Sequence, residues 1–112
     1  MSKVKVNYEL NKNKYETIGI KNRNRLTFME NDIKVNFILN EYIMIIRENA
    51  EYKIDMNFEN KTCKYLLKGY NEVDLDMKLI ASKIDKNNIY LKYKLNDELF
   101  ELKLNYEVIE WF

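Results

Sequence analysis

Arg47 closes the most apolar stretch of the chain, Tyr42 to Ile46. A guanidinium at the end of such a strand can grip a carboxylate or phosphate through two parallel hydrogen bonds. The plainer reading is a structural ion pair with Glu30 or Glu48, the usual state of a charge drawn into a fold. Asp74 and Asp76 stand two apart, which on a strand puts both carboxylates on one face about 7 Å from each other. That spacing suits glycosidase acids or a pair of calcium ligands. Both are out of phase with Val73, Leu75 and Met77, so if those turn inward the acids face water. Tyr90, Lys92 and Lys94, with Lys103 on a neighbouring strand, form an aromatic and basic strip of the kind that stacks bases and follows a phosphate backbone. Nucleophilic chemistry has little to draw on. Ser2 and Ser82 are the only serines and Cys63 the only cysteine, and with no histidine the activating base would have to be a lysine or a carboxylate. Cys63 reads as a small buried hydrophobe. No catalytic residue, metal site or cofactor is expected.

Composition narrows the partners. The 112 residues suffice for one domain, 1–112, and 46% apolar with 33% charged residues describes a chain that folds in water. Nineteen basic side chains against eighteen acidic ones leave a net charge of +1, so total charge selects neither nucleic acid nor an anionic membrane. One cysteine and no histidine exclude an internal disulfide and a Cys/His zinc site. No apolar run approaches the ~20 residues of a spanning helix, and none resembles a signal peptide, so the expected setting is the cytoplasm.

The elements that must position these residues are strands. Ile33, Val35, Phe37 and Leu39 alternate with mostly polar residues, as do Tyr52, Ile54, Met56 and Phe58, then Val73 to Leu79, Ile89 to Leu95 and Phe100 to Val108. Weaker versions occur at Val4 to Leu10, at Ile18 and Ile20, and at Leu26 and Phe28. Tyr42 to Ile46 is apolar on both faces, and Thr62 to Lys68 does not reveal which set turns inward. Nine short polar clusters separate these runs, which implies about ten strands and almost no helix. With two glycines and no proline, asparagine is expected at left-handed turn positions. Short strands joined by hairpins predict an all-β, antiparallel up-and-down barrel of about eight to ten strands, since closure removes the sheet edges.

The order of these features resembles the YwiB-like family of uncharacterised bacterial proteins, whose fold is a calycin-like β-barrel. The resemblance rests on Tyr42-Ile43-Met44-Ile45-Ile46-Arg47, Met56-Asn57-Phe58-Glu59, Lys68-Gly69-Tyr70 ahead of Val73 to Leu79, and Ile89-Tyr90-Leu91-Lys92-Tyr93. It implies a lipocalin-like barrel in a bacterial cytoplasm, and brings no catalytic residues.

A barrel of this size either holds one small ligand or fills with its own side chains. The candidate lining is Phe37, Tyr52, Phe58, Tyr93 and Phe100 with Arg47 at the mouth, and the bulk of those rings favours filling. The expected function is therefore non-enzymatic: binding of a small apolar or anionic ligand in or at the mouth of the barrel. One alternative is a protein interaction module. Ile109, Trp111 and Phe112 make both faces of the last strand apolar, and a homodimer is the default partner for such a tail. The other is weak binding of single-stranded nucleic acid through the Tyr90 strip, which the near-neutral charge disfavours.

Overall fold

The structure, a computed structural model, describes all 112 residues. It contains ten strands and no helix: β1 (Ser2–Leu10), β2 (Asn13–Asn22), β3 (Arg25–Glu30), β4 (Ile33–Leu39), β5 (Ile43–Glu48), β6 (Tyr52–Asn57), β7 (Thr62–Leu67), β8 (Val73–Asp85), β9 (Asn88–Leu95) and β10 (Glu98–Trp111). Each strand pairs antiparallel with the next, and β1 with β10, so the sheet closes into the up-and-down barrel that the alternation predicts, compatible with the calycin type. The turns after β1, β3, β5, β7 and β9 form one end of the barrel, called upper here. The chain termini and the turns after β2, β4, β6 and β8 form the lower end.

Alternation decides what is inside. On β1, Val4, Val6 and Tyr8 are buried, and on β10 Leu102, Leu104 and Tyr106. Their neighbours, such as Asn7, Lys103 and Asn105, are exposed. Nineteen buried hydrophobic residues form one cluster, so the interior is a single continuous core. The two-sided strand resolves into Ile43 and Ile45 inward, with Met44 and Ile46 half-covered on the outer face. In β7, Cys63 turns inward and is fully buried, which pushes its thiol up to about 11 and leaves it almost wholly protonated at neutral pH.

Two expectations are corrected. Ile18 and Ile20 point outward and are exposed, because Gly19 and Thr17 are the residues opposite the inward Val4 and Val6. Gly19 is needed there: a Cβ would stand 2.7 Å from the Thr27 carbonyl oxygen and 3.2 Å from the Phe28 Cβ, where β2 presses on β3. Gly19→Ala should therefore lower stability by about 1–3 kcal/mol, read as a fall in the urea midpoint at constant slope. The turns also depart from expectation. Asparagine takes positive φ at Asn11, Asn31 and Asn96, but Lys12, Arg23, Lys61 and Lys86 do the same work. Basic residues at turns place charge at the barrel ends, which matters below.

Two seams are narrow. β2 meets β3 only over Ile20–Asn22, and β7 meets β8 only over Val73–Asp76. Beyond Asp76, β8 pairs with β9 alone, and a register shift between Leu79 and Ala81 bends it. Lys78 and Lys83 on this stretch, with the bulge, are devices that discourage a second strand from adding to a free edge.

Candidate functional site

The interior residues named from sequence are mostly committed to packing. Phe37, Phe58 and Tyr93 are buried, while Tyr52 and Phe100 are half-buried. Phe37 stacks on Phe28 at 5.9 Å between ring centroids and meets the edge of Tyr8 at 6.4 Å. Tyr93 lies between Phe58 and Phe100, at 5.2 and 5.4 Å. Tyr52 stacks on Tyr65 at 6.0 Å. These are the offset and tilted arrangements in which aromatic pairs attract.

Arg47 is not a free anchor at a mouth. Its side chain is 14% exposed and forms an ion pair with Glu30, which is 5% exposed. The second guanidinium arm donates a hydrogen bond to the Tyr8 hydroxyl at 3.1 Å. No buried side-chain polar atom in the protein lacks a partner, so the arginine, the carboxylate and the phenol satisfy one another. Burial works against the Arg47 charge, but Tyr8 and Glu30 outweigh it and its pKa rises. Burial raises the Tyr8 phenol far above its ordinary range and pushes Tyr93 up to about 12, so both remain neutral hydrogen-bonding groups. Glu48, the other partner considered, bonds instead to Lys68 on the surface at 3.3 Å.

The lower end holds a different arrangement. A recess of about 320 Å³ opens there between the turn after β2, the turn after β4 and the β8–β9 hairpin. Leu39, Ile43, Ile84 and Ile89 supply its apolar surface, and Lys21, Arg23 and Lys86 its charge. None of the ten lining residues is an aspartate or a glutamate, and none of the three cations takes part in an ion pair. The rim is fixed by local bonds. Leu39 N–H donates to the Asn24 carbonyl at 2.6 Å, the Asn24 amide donates to the Asn40 side chain at 2.6 Å, and Tyr106 N–H donates to the Asn87 carbonyl at 3.2 Å. Lys21 donates to the Arg23 carbonyl at 2.6 Å and lies 6.0 Å from the centre of the Tyr106 ring, a cation–π distance. Positive φ at Arg23 and Lys86 is what turns the chain at two sides of the recess.

A larger hollow of about 760 Å³ runs over the outer face of β2, β1, β10, β9 and β8. Three lysines, Lys14, Lys83 and Lys103, balance three acids, Glu9, Glu16 and Asp85. Much of its polar surface is already engaged. Glu16 bonds Lys5 at 3.0 Å, Asn105 donates to Asn88 at 2.8 Å, and Tyr90 donates to Glu101 at 3.0 Å. The strip named from sequence is thereby divided: Tyr90 and Lys103 line this hollow, Lys92 faces Glu101 across the ladder, and Lys94 lies beyond it. Asp74 and Asp76 point outward and are exposed, with Lys64 opposite Asp74. Ile109, Trp111 and Phe112 are exposed at the lower end.

Lys21, Arg23 and Lys86 escaped the sequence reading. Arg23 and Lys86 fall in the polar clusters that mark turns, and counting strands would have put both turns at one end. No protein-family model matches the chain, and no curated protein is similar to it.

Proposed function

We propose that the protein is a non-enzymatic binding barrel whose site is the lower recess, and that its ligand is a small anion with an apolar body. The observation that carries this is the coincidence of three cations with no acid around an apolar floor, in a protein whose net charge is only +1. Unpaired cations facing one concavity favour an anion, and the leucine and isoleucine surface rewards an alkyl or aryl portion. At about 320 Å³ the recess is at the small end of ligand sites, so the fit is to a short molecule and not to a long chain held inside. The packed interior supports the same choice, because Phe37, Phe58 and Tyr93 occupy the volume that a container would leave open. The outer hollow is a weaker candidate, since its charges cancel and its groups already bond to each other. The lipocalin-like resemblance adds only that barrel mouths are common ligand sites.

Octanoate and octanol, titrated by calorimetry, test the reading. Octanoate should bind and octanol should bind at least about tenfold more weakly, the equivalent of one charge-assisted hydrogen bond. Lys21→Met with Arg23→Met should remove that preference while leaving the urea midpoint near its original value. Equal affinity for the two ligands, or no heat with either, contradicts the proposal.

A further inference from the structure

The outer hollow of about 760 Å³ has an order that its charge balance conceals. Its outward side chains fall into two rows that cross the sheet, each taking one residue from β2, β1, β10, β9 and β8. The pairing register sets Glu16, Asn7, Asn105, Asn88 and Asp85 side by side, so three amides stand in line with a carboxylate at each end. All five are exposed. The row above it is Lys14, Glu9, Lys103, Tyr90 and Lys83. Neighbouring strands lie about 4.8 Å apart, so a row of five spans about 19 Å. β2 and β8 are the rims of the hollow, and each lacks its other neighbour over much of its length: β3 above Ile20 and β7 beyond Asp76. The five strands are thereby free to twist into a trough.

Much of the bonding capacity of the amide row is unused. Each asparagine offers two donors and an acceptor in one plane. Asn105 gives one bond to Asn88, and the Asn7 side chain bonds to no other group of the protein. Asp85, Lys14 and Lys83 take part in no ion pair.

We propose that this row is a second binding site, separate from the lower recess, and that it takes a linear, uncharged oligosaccharide laid across the strands. Three lysines against three acids give an ion no net attraction, so the cancellation that counts against an anion suits a neutral ligand. Vicinal hydroxyls need a donor and an acceptor together, which an amide supplies from one side chain, and the carboxylates of Glu16 and Asp85 accept from hydroxyls at the two ends. The ring of Tyr90 borders the row and gives a sugar an apolar surface to lie against. Spacing selects among neutral polymers. One strand separation is close to the length of one pyranose unit in an extended, β-linked chain, so successive sugars meet successive amides. An extended peptide repeats at about 3.3 Å per residue and would fall out of step with the row. The site does not involve Lys21, Arg23 or Lys86, so it stands or falls separately from the octanoate reading.

Cellotetraose, an extended neutral glucan, and maltotetraose, a curved one of the same composition, are the probes. Titrated into labelled protein, cellotetraose should move the side-chain amide resonances of Asn7, Asn88 and Asn105 saturably and leave those of Asn24 and Asn40 in place. Maltotetraose should bind at least about tenfold more weakly, the equivalent of one hydrogen bond lost. Asn7→Ala removes an amide that supports nothing in the fold, so it should weaken cellotetraose about tenfold while the urea midpoint and octanoate binding stay as they were. Asn7→Ala with Asn105→Ala should abolish the sugar response. No saturable change with cellotetraose overturns the proposal, and so does unaltered affinity in Asn7→Ala. Equal binding of the two sugars refutes the match of spacing on which it rests.

Discussion

Arg47→Met should destabilise the barrel by about 3–5 kcal/mol, because it leaves the Glu30 carboxylate buried without its counter-charge. Glu30 is 5% exposed and has no other cation in contact, so water cannot replace the guanidinium without opening the core. Tyr8 loses a hydrogen-bond donor at the same time, which adds to the cost. Adding Glu30→Met to the same chain should recover most of the loss, since a buried ion pair can be exchanged for apolar residues with little net penalty. Urea unfolding of the two variants decides the role of the arginine. An anchor kept for a ligand would be nearly dispensable to stability, so a loss below about 1 kcal/mol in Arg47→Met would contradict the structural pairing.

Phe37→Ala should cost a similar amount, about 3–5 kcal/mol, for a different reason. Phe37 is fully buried, and its ring lies against Phe28 and Tyr8. Truncation removes its transfer free energy and leaves a void that two neighbouring rings cannot close without leaving their own contacts. The same substitution in a hollow container would be mild, because the ring would already border free space. Chemical denaturation distinguishes the two. A filled core predicts the large loss, and a change under about 1 kcal/mol would indicate an open interior.

The strands were legible because a sheet with one buried face writes a period of two into its sequence, and nearly every run from Ile33 to Val108 obeys it. The polar clusters marked all the turns for the same reason. What misled the reading was β2, where the apolar Ile18 and Ile20 lie outside. The inward positions there are Thr17 and Gly19, chosen because β3 comes too close at Gly19 for any side chain. Hydrophobicity cannot signal a residue selected for having nothing to pack. Arg47 was legible as a charge at the end of an apolar strand, and Glu30 as one of two partners. Its depth was not, because strand tilt and the reach of Tyr8 across the interior are tertiary facts. The recess was not legible at all. Lys21, Lys86 and Tyr106 are distant in sequence and meet only because closure of the barrel brings them to one end. The exposed tail could be read directly, since Ile109, Trp111 and Phe112 break the alternation that the rest of β10 keeps.

Amide chemical shifts of the labelled protein, followed while octanoate is added, test most directly the claim that the barrel is full and that binding belongs to its lower mouth. The account predicts changes confined to the turns around Arg23, Asn40 and Lys86 and to Tyr106, with Phe37, Tyr93 and Leu91 unmoved. Changes centred on the residues beside Phe37 and Tyr93, or none anywhere at saturating octanoate, would contradict it.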